Sequence, residues 1–118
     1  MNFKKIKIPV REFYPNFVAN MRIIKKKTLQ DFWEEYPDSE QPLKYWFEKI
    51  KNANYQNPND VILDNPKSDT VGNGRIVFNI AGNKYRLIVL FRYRIQIAYI
   101  RFIGTHKSYD QITDIGNI

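Results

Sequence analysis

The chain has 118 residues, a length that suits one compact domain, since a single hydrophobic core commonly forms at about 100–150 residues. It contains no cysteine, which excludes disulfide frameworks, thiolate zinc sites and cysteine nucleophiles. No stretch approaches the roughly 18 consecutive apolar residues of a membrane span, and the N-terminus lacks the apolar core of a signal peptide. We therefore expect a cytoplasmic protein without a membrane partner.

Charge is unevenly distributed along the chain, whose net charge is +7. Residues 1–27 hold eight basic residues and one acidic residue, whereas residues 28–69 hold nine acidic and four basic residues. Residues 70–109 contain seven basic residues, the only histidine and no carboxylate. A carboxylate-free basic segment favours binding to a polyanion, because nearby carboxylates weaken phosphate contacts. An alternative explanation is that these arginines and lysines lie on the solvent-exposed face of a sheet and contribute only to solubility.

The N-terminal half predicts two helices. Thr28 is the expected N-cap of the first, which ends before Pro37. Asp38 or Ser39 is expected to cap the second, which runs to about Asn54. Apolar residues at helical spacing form one stripe on each helix: Leu29, Phe32, Trp33 and Tyr36 on the first, and Leu43, Trp46, Phe47 and Ile50 on the second. The two tryptophans are therefore interpreted as core residues and not as platforms for stacking bases.

The C-terminal half predicts a β-meander. Three runs rich in Ile, Val, Phe and Tyr are separated by short turns: Arg75–Ile80, Lys84–Phe91 and Ile95–Ile103. Residues 55–74, which are rich in proline, glycine and asparagine, are interpreted as a connection. Residues 21–25 suit an additional edge strand, and residues 106–112 suit a final helical turn.

Alternation sorts the side chains of the predicted strands by face, since residues two apart share a side. In the second strand, one face carries Tyr85, Leu87, Val89 and Phe91, and the other carries Lys84, Arg86, Ile88, Leu90 and Arg92. In the third strand, Tyr99 and Arg101 are expected on the same side as Ile97. The strands are apolar in the middle and basic at their ends, so we expect helices to cover one face and a ligand to meet the charged ends.

Imidazole chemistry in this chain depends on His106, because it is the only histidine. The sequence has no HExxH motif, no paired carboxylates in the β-rich half and no phosphate-binding glycine loop. His106 follows the third predicted strand, beside Lys107 and three residues before Tyr109. Cleavage of RNA by its own 2′-hydroxyl needs a proton acceptor, a proton donor and cations that stabilise the charged phosphorane, which these residue types supply without a metal or cofactor. A lone histidine is more often structural or merely exposed, so both interpretations stay open at this point.

Similarity to a known family extends from about Met21 to Ile112. It rests on segments that occur in the expected order: Met21–Ile24, Asp31–Glu34, Pro37–Leu43, Val71–Asn73, Val77–Ile80, Gly82–Leu87 and Tyr99–His106. Together these segments resemble the HigB family of toxins, part of the RelE-like group of ribosome-dependent mRNA endonucleases from bacterial toxin–antitoxin modules. The resemblance implies an α+β, RelE-like fold with two N-terminal helices packed on a small antiparallel β-sheet, and cleavage of mRNA in the ribosomal A site.

The resemblance also implies where the active site lies. In RelE-like toxins the active residues are basic or aromatic, and they lie on the concave face of the sheet and in the C-terminal segment. The family's Tyr-Arg pair after the hairpin matches Tyr85–Arg86, so Arg86 is predicted to bind the scissile phosphate. His106 and Tyr109 are predicted to be catalytic, with the division between acid and base left open. Residues assigned to RNA binding by their charge and position are Lys84, Arg101, Lys107 and Arg75.

Members of this family typically begin near the motif at Met21, whereas this chain carries a further basic segment. Residues 1–20 are therefore expected to be a disordered or rRNA-contacting basic extension, or an unused upstream start, and residues 21–118 the toxin domain. Expected partners are mRNA on the ribosome, with contacts to 16S rRNA, and a cognate antitoxin of the helix-turn-helix type.

Two other functions remain open. The related ParE-like toxins share the fold but act on gyrase without an enzymatic step, and a basic nucleic-acid-binding module would need no toxicity at all. His106 and Tyr109 favour the nuclease, because a pure inhibitor needs no proton-transfer group beside the basic segment.

Overall fold

The computed structural model describes residues 20–118. The predicted N-terminal extension, apart from Asn20, lies outside the described residues. The described part forms five strands: β1 (Arg22–Ile24), β2 (Ser68–Gly72), β3 (Arg75–Ile80), β4 (Tyr85–Arg92) and β5 (Ile97–Thr105). It also forms four α-helices, α1 (Lys26–Glu35), α2 (Glu40–Lys51), α3 (Pro58–Asp64) and α4 (His106–Asp110), and two 3-10 helices, Pro37–Ser39 and Ile115–Asn117. The fold class is therefore α+β, as predicted.

The strands form one mixed sheet in the order β1-β5-β4-β3-β2. Neighbouring strands from β2 to β5 pair antiparallel, whereas β1 pairs in parallel with β5, so the predicted antiparallel sheet is corrected at this edge. The backbone N–H of Arg22 donates to Gln96 O at 2.8 Å at the start of this pair. Parallel pairing requires a long crossover, and here three helices and three strands separate the two partners.

The first predicted helix is present, but it begins earlier than expected. α1 starts at Lys26, after Lys25 in a left-handed conformation with φ 74°. Thr28 lies in the first turn of α1, where its backbone N–H donates to Lys25 O at 3.0 Å, so it is not the N-cap. The helix ends at Glu35, before Pro37, as predicted.

The second predicted helix is also present, with a different cap and end. Ser39 is fully buried, and its hydroxyl donates to Tyr36 O at 2.7 Å instead of accepting a bond from the first turn of α2. α2 ends at Lys51, about one turn short of the expected end near Asn54. The hydroxyl of Ser39 therefore joins the two helices and does not cap the second.

The predicted connection over residues 55–74 contains a third helix and a strand, so the expected pair of N-terminal helices is corrected to three. α3 begins with an Asn57 side chain that accepts from Asp60 N at 2.9 Å, followed by Pro58 at the first helical position. Asparagine at the cap and proline at the next position are local signals for a helix start. β2 pairs with β3 and has a register shift between Thr70 and Gly72.

The core lies between one face of the sheet and the helices. Its buried members from the helices are Leu29, Leu43, Trp46, Ile50 and Val61, and those from β4 are Tyr85, Leu87, Val89 and Phe91. The prediction that these four β4 residues share one face is thus confirmed, and each of the larger apolar side chains contributes about 1.5–3 kcal/mol on burial. Trp33 packs against the same core, so both tryptophans are structural. None of the helices within residues 20–118 has the length and apolarity needed to cross a membrane.

Candidate active site

The face of the sheet turned away from α1, α2 and α3 is called the open face. It carries Arg86, Ile88 and Leu90 of β4, and Phe102 of β5 lies opposite Ile88. Ile88 is 0% exposed and Leu90 is 8% exposed, although the three helices lie on the other side of the sheet. The C-terminal segment contributes to this cover, because α4 packs on β4 and β5 and the 3-10 helix Ile115–Asn117 packs on β2. The open face therefore combines an apolar centre with basic side chains.

Arg86 is nearly buried on this face, with 8% of its surface exposed. Its Nη2 donates to Asn83 Oδ1 at 2.8 Å, and its Nη1 donates to the backbone oxygens of Asn83 and Tyr85 at 3.1 and 3.2 Å. Among residues 20–118, no carboxylate forms an ion pair with this guanidinium. Burying a charge without a counter-charge is costly, so the arrangement suits an anionic ligand.

Tyr109 lies against Arg86. The centre of its ring is 5.9 Å from Arg86 Cζ and 6.5 Å from the ring centre of Phe102. Burial raises the pKa of the Tyr109 hydroxyl above its ordinary value, the positive charge of Arg86 opposes this, and the charges of Asp110 and Asp69 add to it. The phenol therefore keeps its proton at neutral pH and is available as a hydrogen-bond donor.

His106 is paired with a carboxylate that the sequence analysis did not single out. Its Nδ1 lies 2.9 Å from Asp110 Oδ2, one helical turn further along α4, and both side chains are exposed. This contact assigns the proton of a neutral imidazole to Nδ1 and leaves Nε2 as an acceptor that faces solvent or a ligand. The spacing of four residues in a predicted helical turn was a usable signal for this pair.

Two hydrogen bonds, one to a side chain and one to the backbone, fix the position of α4. Thr105 Oγ1 caps the helix by accepting from Ser108 N at 3.1 Å, and His106 N donates to Lys84 O at 3.1 Å. α4 therefore begins where β5 ends, beside the start of β4. This geometry presents His106 at the sheet margin and turns Tyr109 onto the open face.

Lys84 and Lys107 do not join Arg86. Lys84 Nζ lies 2.7 Å from Asp38 Oδ2, and the hydroxyl of Tyr85 donates to Asp38 Oδ1 at 2.6 Å. Asp38 belongs to the 3-10 helix between α1 and α2, so Lys84 is engaged with the helical side of the domain. Lys107 is exposed on α4. Residues 70–109 contain no carboxylate in sequence, but the fold places the carboxylate of Asp38 against this segment.

Arg75 and Arg101 meet at the C-terminal end of the described chain. Val89 pairs with Ile100 and Ile88 pairs with Phe102, so Arg101 is the extra residue of a β-bulge. Arg101 reaches the open face as expected, but the bulge also shifts the alternation beyond it, which brings Phe102 to the same face. Arg75 Nη2 and Arg101 Nε both donate to Ile118 O, at 2.8 and 3.0 Å.

The predicted site residues therefore fall into three groups. Arg86, Tyr109 and the His106–Asp110 pair lie together where α4 meets the sheet, whereas Arg75 and Arg101 form a second basic group under the C-terminal segment. Lys84 and Lys107 stand apart from both. Their roles in catalysis and RNA binding stay predictions.

Comparison with known proteins identifies the family. A family model, described as HigB toxin, a RelE-like toxic component of a toxin–antitoxin system, matches residues 39–112. The chain belongs to the HigB toxin family. Relatives named mRNA interferase toxin HigB, from Escherichia coli strain K12, and mRNA interferase HigB, from Escherichia coli O157:H7 and Shigella flexneri, are each 30% identical over 97 residues. These alignments cover 80% of this chain and 93% of each relative.

The HigB family match includes the whole of the first group of site residues. Its range of 39–112 contains Arg86 and α4, and it ends before the 3-10 helix Ile115–Asn117. The resemblance drawn from the sequence segments is thereby confirmed. The C-terminal segment that contacts Arg75 and Arg101 lies outside the matched region.

Two cavities of this HigB-family toxin, both beside the helices, lie away from the first group. One of about 380 Å³ is lined by α1 and α2, including Trp33 and Phe47, and one of about 350 Å³ lies beside Trp46 and Phe78. Neither is lined by Arg86, His106 or Tyr109. Within residues 20–118, no three His, Asp or Glu side chains are grouped as metal ligands. The first group therefore forms an open surface that suits a large anionic ligand better than an enclosed small molecule.

Proposed function

We propose that this HigB-family toxin is an endoribonuclease that cleaves mRNA on translating ribosomes by attack of an RNA 2′-hydroxyl on the adjacent phosphate, without a metal. One observation carries the proposal. A nearly buried Arg86 guanidinium with no carboxylate partner among residues 20–118 lies under the neutral phenol of Tyr109, and α4 places the His106–Asp110 pair beside them. A cation for the phosphate charge, a proton donor and a proton acceptor are the three requirements of this reaction.

His106 is proposed as the general base. Its Nε2 takes the proton of the 2′-hydroxyl while the 2′-oxygen forms a bond to phosphorus. Asp110 holds the ring through Nδ1 and stabilises the imidazolium that results, as a carboxylate does for the histidine of a hydrolase triad. Asp110 is therefore a positioning residue that acts through His106.

Tyr109 is proposed as the general acid. Its raised pKa keeps the phenol protonated, so it can deliver the proton to the 5′-oxygen as the bond from phosphorus to that oxygen breaks. The products are a 2′,3′-cyclic phosphate and a free 5′-hydroxyl. His106 gains one proton and Tyr109 loses one, so the step needs no other proton source. Exchange with water then restores both groups.

Arg86 is proposed to stabilise the charge that develops on the phosphorane. Asn83 fixes its guanidinium before the reaction by accepting from Nη1 and Nη2. A donor that is already oriented needs no reorganisation at the transition state, which is why such groups contribute strongly to catalysis. Lys107, Arg75 and Arg101 are proposed to contact neighbouring phosphates, and Lys84 is the weakest choice because Asp38 already pairs with it.

The open character of the site supports dependence on the ribosome. His106 is exposed and lines neither of the two cavities beside the helices, so a flexible message on this open surface would need orientation from outside the toxin. The ribosome would supply that orientation, with 16S rRNA as a contact and the cytoplasm as the compartment. A cognate antitoxin, proposed to be of the helix-turn-helix type, would neutralise the toxin.

Mapping of new 5′ ends tests this function. The toxin is induced, and RNA ends are compared between translated and untranslated messages, with Arg86→Ala as the inactive variant and Lys51→Ala, on the helical side, as the matched control. Purified protein should cut ribosome-bound message and leave naked RNA largely intact, whereas efficient cutting of naked RNA in EDTA would remove the ribosome from the mechanism. If the toxin inhibits growth but no new 5′ ends appear on translated messages, that result would favour a ParE-like, non-enzymatic action.

A further inference from the structure

The end of the open face that lies away from α4 carries two arginines and a tyrosine. Arg92 of β4 pairs with Ile97 of β5, and Ile97 pairs with Arg22 of β1. Residues paired across strands direct their side chains to the same side of a sheet, so these three form one row. Tyr99 lies two residues further along β5 and shares this face. Arg22, Arg92, Ile97 and Tyr99 are called the far patch.

The helices leave the far patch accessible. Ile23 and Ala98, which alternate with its residues along β1 and β5, pack in the core on the opposite side of the sheet. Arg22 and Arg92 are exposed, and Tyr99 is partly exposed. Within residues 20–118, the Tyr99 ring takes part in no aromatic pair. The ring is therefore available to stack on a ligand.

The far patch is positively charged without an acidic counter-charge. In the part of the chain that the structure describes, no carboxylate forms an ion pair with Arg22, with Arg92 or with Arg94 of the next turn. Arg92 and Arg94 also line a recess of about 490 Å³ that reaches Gly74 in the β2–β3 turn. Exposed arginines without carboxylate partners favour a polyanionic ligand.

One buried glutamine fixes both arginine-bearing strands. Gln96 is 3% exposed, and its Nε2 donates to Tyr55 O and Tyr93 O at 2.6 and 2.7 Å. The backbone N–H of Arg22 donates to Gln96 O at 2.8 Å. The turn that follows Arg92 is thus anchored to the core, and β1 is anchored to that turn. The backbones that carry the two arginines are therefore positioned before any ligand binds.

Single-stranded RNA suits this combination of groups. Proteins that bind single strands combine cationic side chains, which follow the backbone, with aromatic rings on which bases stack. Some RNA-binding domains place such rings on the exposed face of a sheet. Arg86 and Arg92 are six residues apart on β4, which corresponds to about 20 Å in an extended strand. The far patch is therefore distinct from the proposed site of the scissile phosphate but lies on the same face.

We propose that the far patch is a second RNA-binding site, in which Tyr99 stacks on a nucleobase and Arg22 and Arg92 contact the adjacent phosphates. The inference rests on the proposed function, because it takes RNA as the ligand of the open face. It gives a role to three residues that the sequence analysis did not select as site residues. Message and rRNA offer this chemistry alike, so single-stranded RNA is the ligand class.

Substitutions of Tyr99 test the stacking contact without requiring cleavage. The probe is a nine-nucleotide single-stranded RNA with 2′-O-methyl groups, which cannot be cut by its own 2′-hydroxyl, and fluorescence anisotropy reports its affinity. Tyr99→Phe keeps the ring and should bind within about twofold of the wild type, whereas Tyr99→Leu keeps only apolar bulk and should bind about 5–150-fold more weakly. An abasic probe of the same length should bind both variants equally.

The double variant Arg22→Ala/Arg92→Ala tests the phosphate contacts. It should weaken binding of both probes, and it should reduce the slope of log affinity against log salt by about 0.7 for each phosphate that the arginines no longer neutralise. Lys51→Ala is the matched control, because it removes an exposed positive charge on the helical side. This control should leave the slope and the effect of Tyr99→Leu unchanged.

The arginine variant keeps the proposal falsifiable if Tyr99→Leu alters the fold, since both arginines are exposed and circular dichroism reports folding. Equal affinity of the wild type, Tyr99→Leu and the arginine variant, including a lack of binding in all three, overturns the proposal. Equal losses on the normal and the abasic probe for Tyr99→Leu overturn it as well, because the ring then acts by packing and not by stacking on a base.

Photocrosslinking distinguishes the two sources of RNA. Ile95 is 52% exposed in the turn beside the far patch, and its replacement by a photoreactive benzoylphenylalanine allows contacts in the toxin–ribosome complex to be mapped. Crosslinks to the message or to 16S rRNA support the proposal and identify the strand. Crosslinks confined to ribosomal proteins overturn it.

Cleavage of ribosome-bound message, measured in parallel on the wild type and Tyr99→Leu, separates this proposal from the proposed function. A toxin that binds the probe through the far patch but cuts nothing contradicts the nuclease alone. A toxin that cuts message while its probe binding is indifferent to Tyr99, Arg22 and Arg92 contradicts the far patch alone.

Discussion

Arg86 and Tyr109 form a cation–π contact in which Arg86 Cζ lies 5.9 Å from the centre of the Tyr109 ring. The contact links β4, where Asn83 fixes the guanidinium, to α4, where Thr105 caps the helix. It explains how a short helix of five residues is held on the sheet. It also means that a substitution of either residue affects the environment of the other, so each role needs a conservative variant as well as alanine.

Arg86→Ala should lower the rate of mRNA cleavage by roughly 10²-fold or more, because one transition-state donor is worth about 2.7–4 kcal/mol. Arg86→Lys should restore activity only in part, since lysine keeps the charge but not the planar fork. Single-turnover cleavage of ribosome-bound message provides the measurement. An Arg86→Ala protein that folds normally and cuts at the original rate would exclude this role.

Tyr109→Phe should abolish most cleavage while it preserves the fold. Phenylalanine keeps the ring that packs against Arg86 and Phe102, so the free energy of unfolding should change by no more than about 0.5 kcal/mol. Loss of a general acid should slow cleavage by about 10²–10⁴-fold. Tyr109→Ala, which also removes the ring, should cost additional stability. Equal cleavage rates for the wild type and Tyr109→Phe would mean that the ring acts only by packing.

His106→Ala and Asp110→Asn should differ in the size of their effects on cleavage. His106→Ala removes the proposed base and should abolish growth inhibition, whereas Asp110→Asn keeps an acceptor for Nδ1 but removes the charge that stabilises the imidazolium. The asparagine variant should therefore retain partial activity, with a pH–rate profile altered relative to the wild type. The exposed His106–Asp110 pair is worth about 0–1 kcal/mol, so both proteins should remain folded in thermal denaturation. A fully toxic His106→Ala variant would exclude imidazole chemistry.

The hydrogen bond between Tyr85 and Asp38 should make the free energy of unfolding fall as the pH rises above 10. The hydrogen bond to Asp38, reinforced by burial, raises the pKa of Tyr85 from 10.0 to about 12. The stabilisation is therefore fully present below pH 10 and is lost as the pH rises towards 12. Denaturant titrations across this range should show a shallower loss for Tyr85→Phe than for the wild type. Tyr45→Phe serves as the control, because Tyr45 is 71% exposed, and an unchanged alkaline loss in Tyr85→Phe would contradict this account.

Asp38, the partner of Tyr85, should also make the stability of the fold depend on pH in the acidic range. Hydrogen bonds from Lys84 and then Tyr85 lower the pKa of Asp38 below its ordinary value of 3.8. Its stabilisation is present above that ordinary value and is lost as the pH falls through the lowered one. Asp38→Asn should reduce this acid-dependent loss in the same titrations.

Much of the secondary structure was determined by local sequence. The strand β3 has the predicted bounds, and β4 and β5 differ from theirs by one or two residues at each end, because period-two alternation and turn residues act over a few positions. The two N-terminal helices were readable for the same reason. The identity of the family was also readable from short segments, and it brought Arg86, His106 and Tyr109 forward as candidates, although their roles remain predictions.

The site itself was decided by tertiary structure. Nothing in the three residues of β1 specifies a parallel partner 75 residues away, since three α-helices and three strands lie between Arg22 and Ile97 in the chain. The bulge at Arg101, the pairing of Lys84 with Asp38 and the hydrogen bond from Arg75 to Ile118 all join residues that are distant in sequence. Side-chain patterns determine which face a residue takes within one element, but contacts between elements depend on register, crossover and packing, which are properties of the assembled fold.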